Sequence, residues 1–318
     1  MRRFIYLLLI ATLTQACETN VNVPLPPHTS RLVLNSFLSA GDSVRLFLTR
    51  SYGPLERVTI QDLLIEDATV RFWIDDVEMT TVDFRDSIVD PFFGERSAYY
   101  VGRNGVPAAG SRVRVEVTHP DYEMASGETT LPSSARMIKA ELIQNAYRQS
   151  IGNNDTYTQS ILRVTFEDPN SESNYFRIDR AYFTFRDPDF PTQVQGGALS
   201  VIGPAVPTSD GGFEATGSFG TDENGSGGTV VIDFLCEMPN AFSPASEWKE
   251  VLLDSLYVSS ETANEDYALY QEKLTLQQQN SGGGIQLSPS EPVELYNNID
   301  GGYGVIGGYV LRADTLAF

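Results

Sequence analysis

Strict two-residue alternation of apolar and polar side chains limits the folds open to this chain more than any other feature. In Arg112-Val113-Arg114-Val115-Glu116-Val117 every second side chain is valine and every intervening one is charged. Only a β-strand, whose side chains point alternately to opposite faces, puts all three valines on one side. The same period runs through Leu32-Leu34, Val44-Leu46-Leu48 and Val70-Phe72-Ile74, the last set against Arg71-Trp73. Turn-forming stretches separate these runs: Ser39-Ala40-Gly41-Asp42, Asp75-Asp76 and His119-Pro120-Asp121. Val77-Met79 begins a return strand, and 124–130 forms another. Such spacing predicts about seven short strands and a β-sandwich of immunoglobulin or transthyretin type over 31–132.

Pro132-Ser133-Ser134 marks a boundary, and β-periodicity resumes beyond it. Ile138-Ala140-Leu142, Leu162-Val164-Phe166, Phe176-Ile178, Ala181-Phe183-Phe185, 230–235, Val251-Leu253 and Leu256-Val258 all read as strands. The stretch 187–228 is dense in Gly, Pro and Ser and reads as a long loop. One helix is predicted, over about 262–279. Thr262-Ala263-Asn264-Glu265 has the form of a capping box, and Ala263, Tyr267, Tyr270 and Leu274 recur at helical spacing. Ser281-Gly282-Gly283-Gly284 stops it. The expected fold class is therefore mainly β: two tandem β-sandwich-like domains, 31–132 and 135–318, with one helix in the second.

The first residues have a different character. Arg2-Arg3 is followed by an apolar run over 4–13 and then by Thr14-Gln15-Ala16-Cys17. The run is too short to span a bilayer, which takes roughly 20 apolar residues, and has the size of a secretory signal. A small residue directly before Cys has the form of a bacterial lipoprotein cleavage site. This predicts a signal peptide over 1–16, lipid on Cys17 and a Pro-rich tether over 17–30. Lipid on Cys17 leaves Cys236 without a disulfide partner. Cys236 ends the strand-like run 230–236 and reads as a small core residue.

Charge decides which partners are excluded. Asp and Glu number 42 against 22 Lys and Arg, a formal net charge of -20. Phosphate backbones need a basic surface, so no nucleic-acid partner is expected. Two His and two Cys leave little for zinc or haem.

Several motifs invite a chemical reading. Gly302-Tyr303-Gly304-Val305-Ile306-Gly307 matches a dinucleotide fingerprint, but only eleven residues follow it and they look like a strand. These glycines are read as allowing tight turns or close backbone approach. Asp222, Asn224 and Ser226, with Asp233 at the twelfth position, have the oxygen spacing of a calcium loop. The alternative is a solvated Gly-rich hairpin loop. Acid groups at Asp75-Asp76-Glu78, Asp83-Asp86-Asp90 and Asp187-Asp189 read as solvated turns. His28 and His119 lie near no G-x-S-x-G elbow. Trp73, Trp248, Phe92-Phe93 and Tyr99-Tyr100 offer stacking surfaces for sugars or a partner, or else core.

Ordered short motifs span most of the chain: Cys17-Glu18, Glu66-Asp67-Ala68-Thr69-Val70, Ala109-Gly110-Ser111-Arg112-Val113-Arg114-Val115, Thr129-Thr130-Leu131-Pro132, Phe166-Glu167-Asp168-Pro169 and Asn174-Tyr175-Phe176-Arg177-Ile178. The series ends in Tyr296-Asn297-Asn298-Ile299-Asp300-Gly301-Gly302-Tyr303-Gly304-Val305-Ile306-Gly307-Gly308-Tyr309. In this order they resemble a Bacteroidota envelope-lipoprotein family catalogued as domain of unknown function 4249. The resemblance implies an outer-membrane lipoprotein of the kind commonly encoded beside TonB-dependent receptors. It carries over no catalytic residues.

Three functions follow as expectations. The first is a non-enzymatic binding or accessory module, lipid-anchored in the outer membrane and partnered with a TonB-dependent receptor in uptake. The second is a structural or adhesion envelope protein stabilised by calcium. The third is a carbohydrate-active enzyme with an acid pair. Tyr303 and Tyr309, set among glycines, are candidates for the partner surface. Both membrane faces, periplasmic and cell-surface, remain open.

Overall fold

A computed structural model describes residues 28–90, 95–133, 135–150, 156–168, 173–187, 190–222, 228–237, 252–281 and 293–317. The alternating segments form strands whose valine and leucine faces are buried. The first half holds β1 (Leu32–Ser39), β2 (Arg45–Arg50), one helical turn α1 (Ile60–Leu63), β3 (Thr69–Ile74), β4 (Val77–Glu78), β5 (Val82–Asp90), β6 (Glu95–Gly102), β7 (Arg112–His119) and β8 (Tyr122–Thr130). In β7 all three valines are fully buried, as the pattern requires. Asp75 and Asp76 both take positive φ, 50° and 64°, which suits the tight turn from β3 to β4. Asp75 is held there by the Ser111 hydroxyl (3.0 Å) and the Arg112 N–H (2.9 Å).

The second half holds β9 (Arg136–Ser150), β10 (Thr156–Asp168), β11 (Tyr175–Asp187), β12 (Phe190–Pro207), β13 (Phe213–Ala215), β14 (Gly220–Thr221), β15 (Gly228–Glu237), β16 (Leu252–Ala263), the helix α2 (Glu265–Ser281) and β17 (Tyr303–Ala317). The chain is mainly β and sandwich-like. One sheet runs in the order β5-β6-β2-β1-β17-β16-β11-β12-β15-β10-β9, and a four-stranded sheet runs β4-β3-β7-β8. The four-stranded sheet closes over the β1–β2 end, burying Leu34, Leu46, Phe72 and Val115 between the layers. At the other end the long sheet bends back on itself through β12. The first part of β12 pairs with β11 and its second part with β15. That bend buries Phe166, Phe176, Phe183 and Phe234 in a second core, where Phe166 stacks on Phe176 at 4.6 Å.

β17 belongs to both cores. Its first half pairs parallel with β1, from Val33↔Tyr303 to Ser39↔Tyr309. Its second half pairs antiparallel with β16, from Ala263↔Tyr309 to Ser255↔Ala317. The glycine-rich run is thus strand and not a phosphate-binding turn. Gly304 has φ +113°, and a Cβ there would collide with the Leu34 carbonyl oxygen. The Asn298 side chain mimics a neighbouring strand: its Oδ1 accepts from the Ile306 N–H and its Nδ2 donates to the Ile306 carbonyl, both at 2.9 Å.

Two local readings differ from the structure. The helix begins two residues later than the Thr262 cap implies. Thr262 is buried in β16 opposite Val310, and Asn264 caps α2 by accepting from the Tyr267 N–H at 3.1 Å. Thr262 and Asn264, two residues apart, are both capping types, and strand pairing decides between them. The stretch 187–228 is also not one loop, because β12 alone has 18 residues. Its glycines mark close backbone approach instead: a Cβ on Gly203 would run into the Gly217 carbonyl oxygen.

Candidate functional site

The richest concentration of unusual chemistry lies where β11, the 202–221 segment, β16 and α2 converge. Arg177 on β11 donates from Nη2 to Glu261 Oε2 on β16 at 2.8 Å and to the Tyr267 hydroxyl on α2 at 3.4 Å. Its guanidinium also lies 4.9 Å from the Phe219 ring centroid. Glu261 is only 3 % exposed, and its Oε1 has no hydrogen-bond partner among the described residues. Burial holds the Glu261 carboxyl above its ordinary value, and Arg177 offsets part of that rise. For Arg177, burial pulls the other way from the Glu261 charge and hydrogen bond, and the pair interaction wins. Tyr267 sits at the centre of an aromatic cluster, 5.0 Å from Tyr309, 5.7 Å from Phe37 and 6.2 Å from Phe219. Burial pushes its hydroxyl up.

Around this cluster the surface is hollow. A cavity of about 500 Å³ opens between the Ala215–Ser218 stretch and α2, with Glu272, Thr275 and Gln279 in its wall. A smaller one of about 110 Å³ reaches Arg177 and shares Ile202 and Ser218 with the first. A third, of about 430 Å³, lies on the far side of Thr216 and includes Asp233. Thr216 is tied down by its N–H to the Pro204 carbonyl at 2.9 Å, which fixes the wall between them.

A second polar cluster closes one end of β10 and β11. The Asn174 amide donates from Nδ2 to Asp168 Oδ2 at 2.8 Å, and its backbone N–H donates to Asp222 Oδ1 at 2.8 Å. Burial holds the Asp222 carboxyl above its ordinary value. The Asn174 N–H offsets part of this, and contact with Asp168 adds to it. Asp168 is 1 % exposed and Asp222 is partly buried, and among the described residues neither lines the cavities above.

A protein-family model described as Domain of unknown function (DUF4249) matches residues 18–312. The chain belongs to this family. Comparison with curated proteins and with solved structures returns no match.

Residues singled out from sequence fall in several places. Cys17, the lipidation residue, lies outside the described residues, as do Asn224, Ser226, Trp248 and Phe92-Phe93. The other two members of the calcium set are otherwise engaged. Asp233 accepts from Arg163 through both oxygens at 2.7 Å, and Asp222 faces Asn174 and Asp168. Among the described residues, no group of three or more His, Cys, Asp or Glu is placed to hold a metal ion. Tyr303 is 43 % exposed beneath Arg31, whose guanidinium lies 5.8 Å from its ring, whereas Tyr309 is drawn into the Tyr267 cluster. Trp73 is buried under Arg114 (4.1 Å). His119 lies 3.0 Å from Asp67 and packs on Tyr122. Cys236 is fully buried, and burial pushes its thiol up to about 12, which makes it core and unreactive.

Arg177, Glu261 and Glu272 were not singled out from sequence. A charged residue in an alternating strand reads as outward-facing. The covering by α2, which buries Glu261 at the end of β16, leaves no trace in local periodicity.

Proposed function

We propose that this protein is a lipid-anchored, non-enzymatic accessory protein of the outer membrane. In this reading it works by binding, beside a TonB-dependent receptor engaged in uptake. The carrying observation is the amino-terminal pattern: Arg2-Arg3, the apolar run over 4–13, then Ala16-Cys17, joined by a Pro-rich stretch to a β body. Family membership supports it, through the lipoprotein character that the motif resemblance implies. The hollow surface around α2 fits a binding role better than a catalytic one. Asp168 is buried and Asp222 is held by the Asn174 N–H, and neither lines a cavity among the described residues, whereas a glycoside hydrolase keeps its two carboxyls roughly 5–9 Å apart across an open cleft.

Two measurements test the reading. Cys17→Ala is expected to move the protein from the membrane fraction to the soluble fraction and to abolish metabolic labelling with palmitate. Mild crosslinking in cells is expected to recover a TonB-dependent receptor with the native protein. Unlabelled native protein, or recovery without a barrel partner under conditions that preserve a known lipoprotein–transporter pair, would overturn it.

A further inference from the structure

We propose that the cavity of about 500 Å³ between α2 and the Ala215–Ser218 stretch binds a small molecule that presents a protonated amine to Glu272. The volume falls within the roughly 300–1,000 Å³ of small-molecule sites. Among the described residues, Glu272 supplies the cavity's single charge. Its carboxyl is half-buried, and burial holds it above its ordinary value. Among the described residues it makes no hydrogen bond and no ion pair. The neighbouring Lys273 acts on it only at a distance. A partly buried carboxylate without a partner keeps only part of its hydration, and an ammonium group bringing both charge and N–H donors compensates for what it lacks.

The carboxylate's position is built into the fold. Gly217 has φ +82°, and a Cβ there would lie 3.2 Å from Glu272 Oε1. The missing side chain therefore lets the carboxylate rest against the backbone of the loop. The remaining wall is mixed. Thr216, Ser218, Thr275 and Gln279 offer neutral hydrogen-bonding groups, and Ile202 and Leu276 offer apolar contact. Among the described residues no Lys or Arg lines this cavity, so its described wall favours a cation over an anion. Arg177 reaches only the adjoining 110 Å³ hollow, and its charge is already matched by Glu261. The ligand class is thus an amine with a short body that is part apolar and part hydroxyl-bearing. This inference does not depend on where the protein is anchored or on a receptor partner.

The test is a titration of the purified whole protein with hexylamine, using hexanol as the uncharged counterpart, read by calorimetry and saturation-transfer NMR. Hexylamine is expected to bind saturably and hexanol at least about ten-fold more weakly, the effect of one charge-assisted hydrogen bond. Glu272→Gln is expected to lower hexylamine affinity by a similar factor with an unchanged circular dichroism spectrum. Leu276→Trp, which fills the cavity and keeps the carboxylate, serves as a second variant and is expected to weaken both probes. No saturable hexylamine binding, equal binding of the two probes, or hexylamine affinity retained in both variants would overturn the proposal.

Discussion

Among the described residues of the N-terminal half, the carboxyls displaced from their ordinary values are Glu56 and Asp62. Both are on the surface and both are held low, Glu56 by its hydrogen bond to Arg50 and Asp62 by hydrogen bonds from Thr59. The C-terminal half has two surface acids of that kind, Glu141 beside Lys139 and Asp210 beside Thr208. But it also holds Asp222, Glu261 and Glu272, all raised by burial. The cores differ in the same sense. The first is packed largely with aliphatic side chains from two layers, and the buried polar residues described in its half, Ser36, Ser111 and Thr129, are neutral. The second is Phe-rich, its half also holds the buried acids Asp168 and Glu261, and cavities reach its Ile178, Phe234 and Ile232. Burying charge is expensive. A half that does so, and leaves space beside it, is the half in which the proposed amine site lies. Among the described residues of the other half, no carboxyl is raised by burial.

The buried ion pair gives the largest test of this contrast. Arg177→Met leaves Glu261 buried without its cation and is expected to cost about 3–5 kcal/mol at neutral pH. Glu261 already has a folded-state value above the unfolded one, and losing Arg177 raises it further. The folded state therefore holds that proton more tightly than the unfolded chain. Stability is fully present below the ordinary value of 4.5 and is lost as the pH rises through the raised value. Urea denaturation of the variant and the native protein should show a large gap at pH 7 that narrows toward pH 4.5. A gap independent of pH would mean that Glu261 is not the charge exposed by the substitution.

A smaller effect is expected at the strand shared by the halves. Gly304→Ala forces a side chain into a left-handed conformation against the Leu34 carbonyl. About 1–3 kcal/mol of destabilisation is expected, and it should appear in both halves at once. Loss confined to the β1–β2 side would show that β17 does not transmit stability between them.

Much of the scaffold was legible because it rests on local rules. The valines of β7 and the Asp75-Asp76 turn need only alternation and turn chemistry. What joins the halves was not legible. β1 and β17 pair across most of the chain's length, and the glycines that permit it resemble a nucleotide-binding turn until Leu34 is seen opposite Gly304. β12 was read as loop because its glycines, which allow the sheet to bend, share their composition with loops. The candidate site is the least legible part. Glu272 looks like any polar helix residue until Gly217 is found beneath it, and Glu261 looks solvent-facing until α2 covers it. Both depend on contacts between segments far apart in sequence.

The central claim is that β17 makes the N-terminal and C-terminal halves one cooperative unit despite their different interiors. Hydrogen exchange followed by mass spectrometry across a urea series, read on peptides covering β7 and β15, tests it most directly. Shared unfolding is predicted, with the most protected amides of both strands giving the same opening free energy and the same urea slope. β7 amides that stay protected after β15 amides have exchanged would contradict the claim and show two independently stable halves.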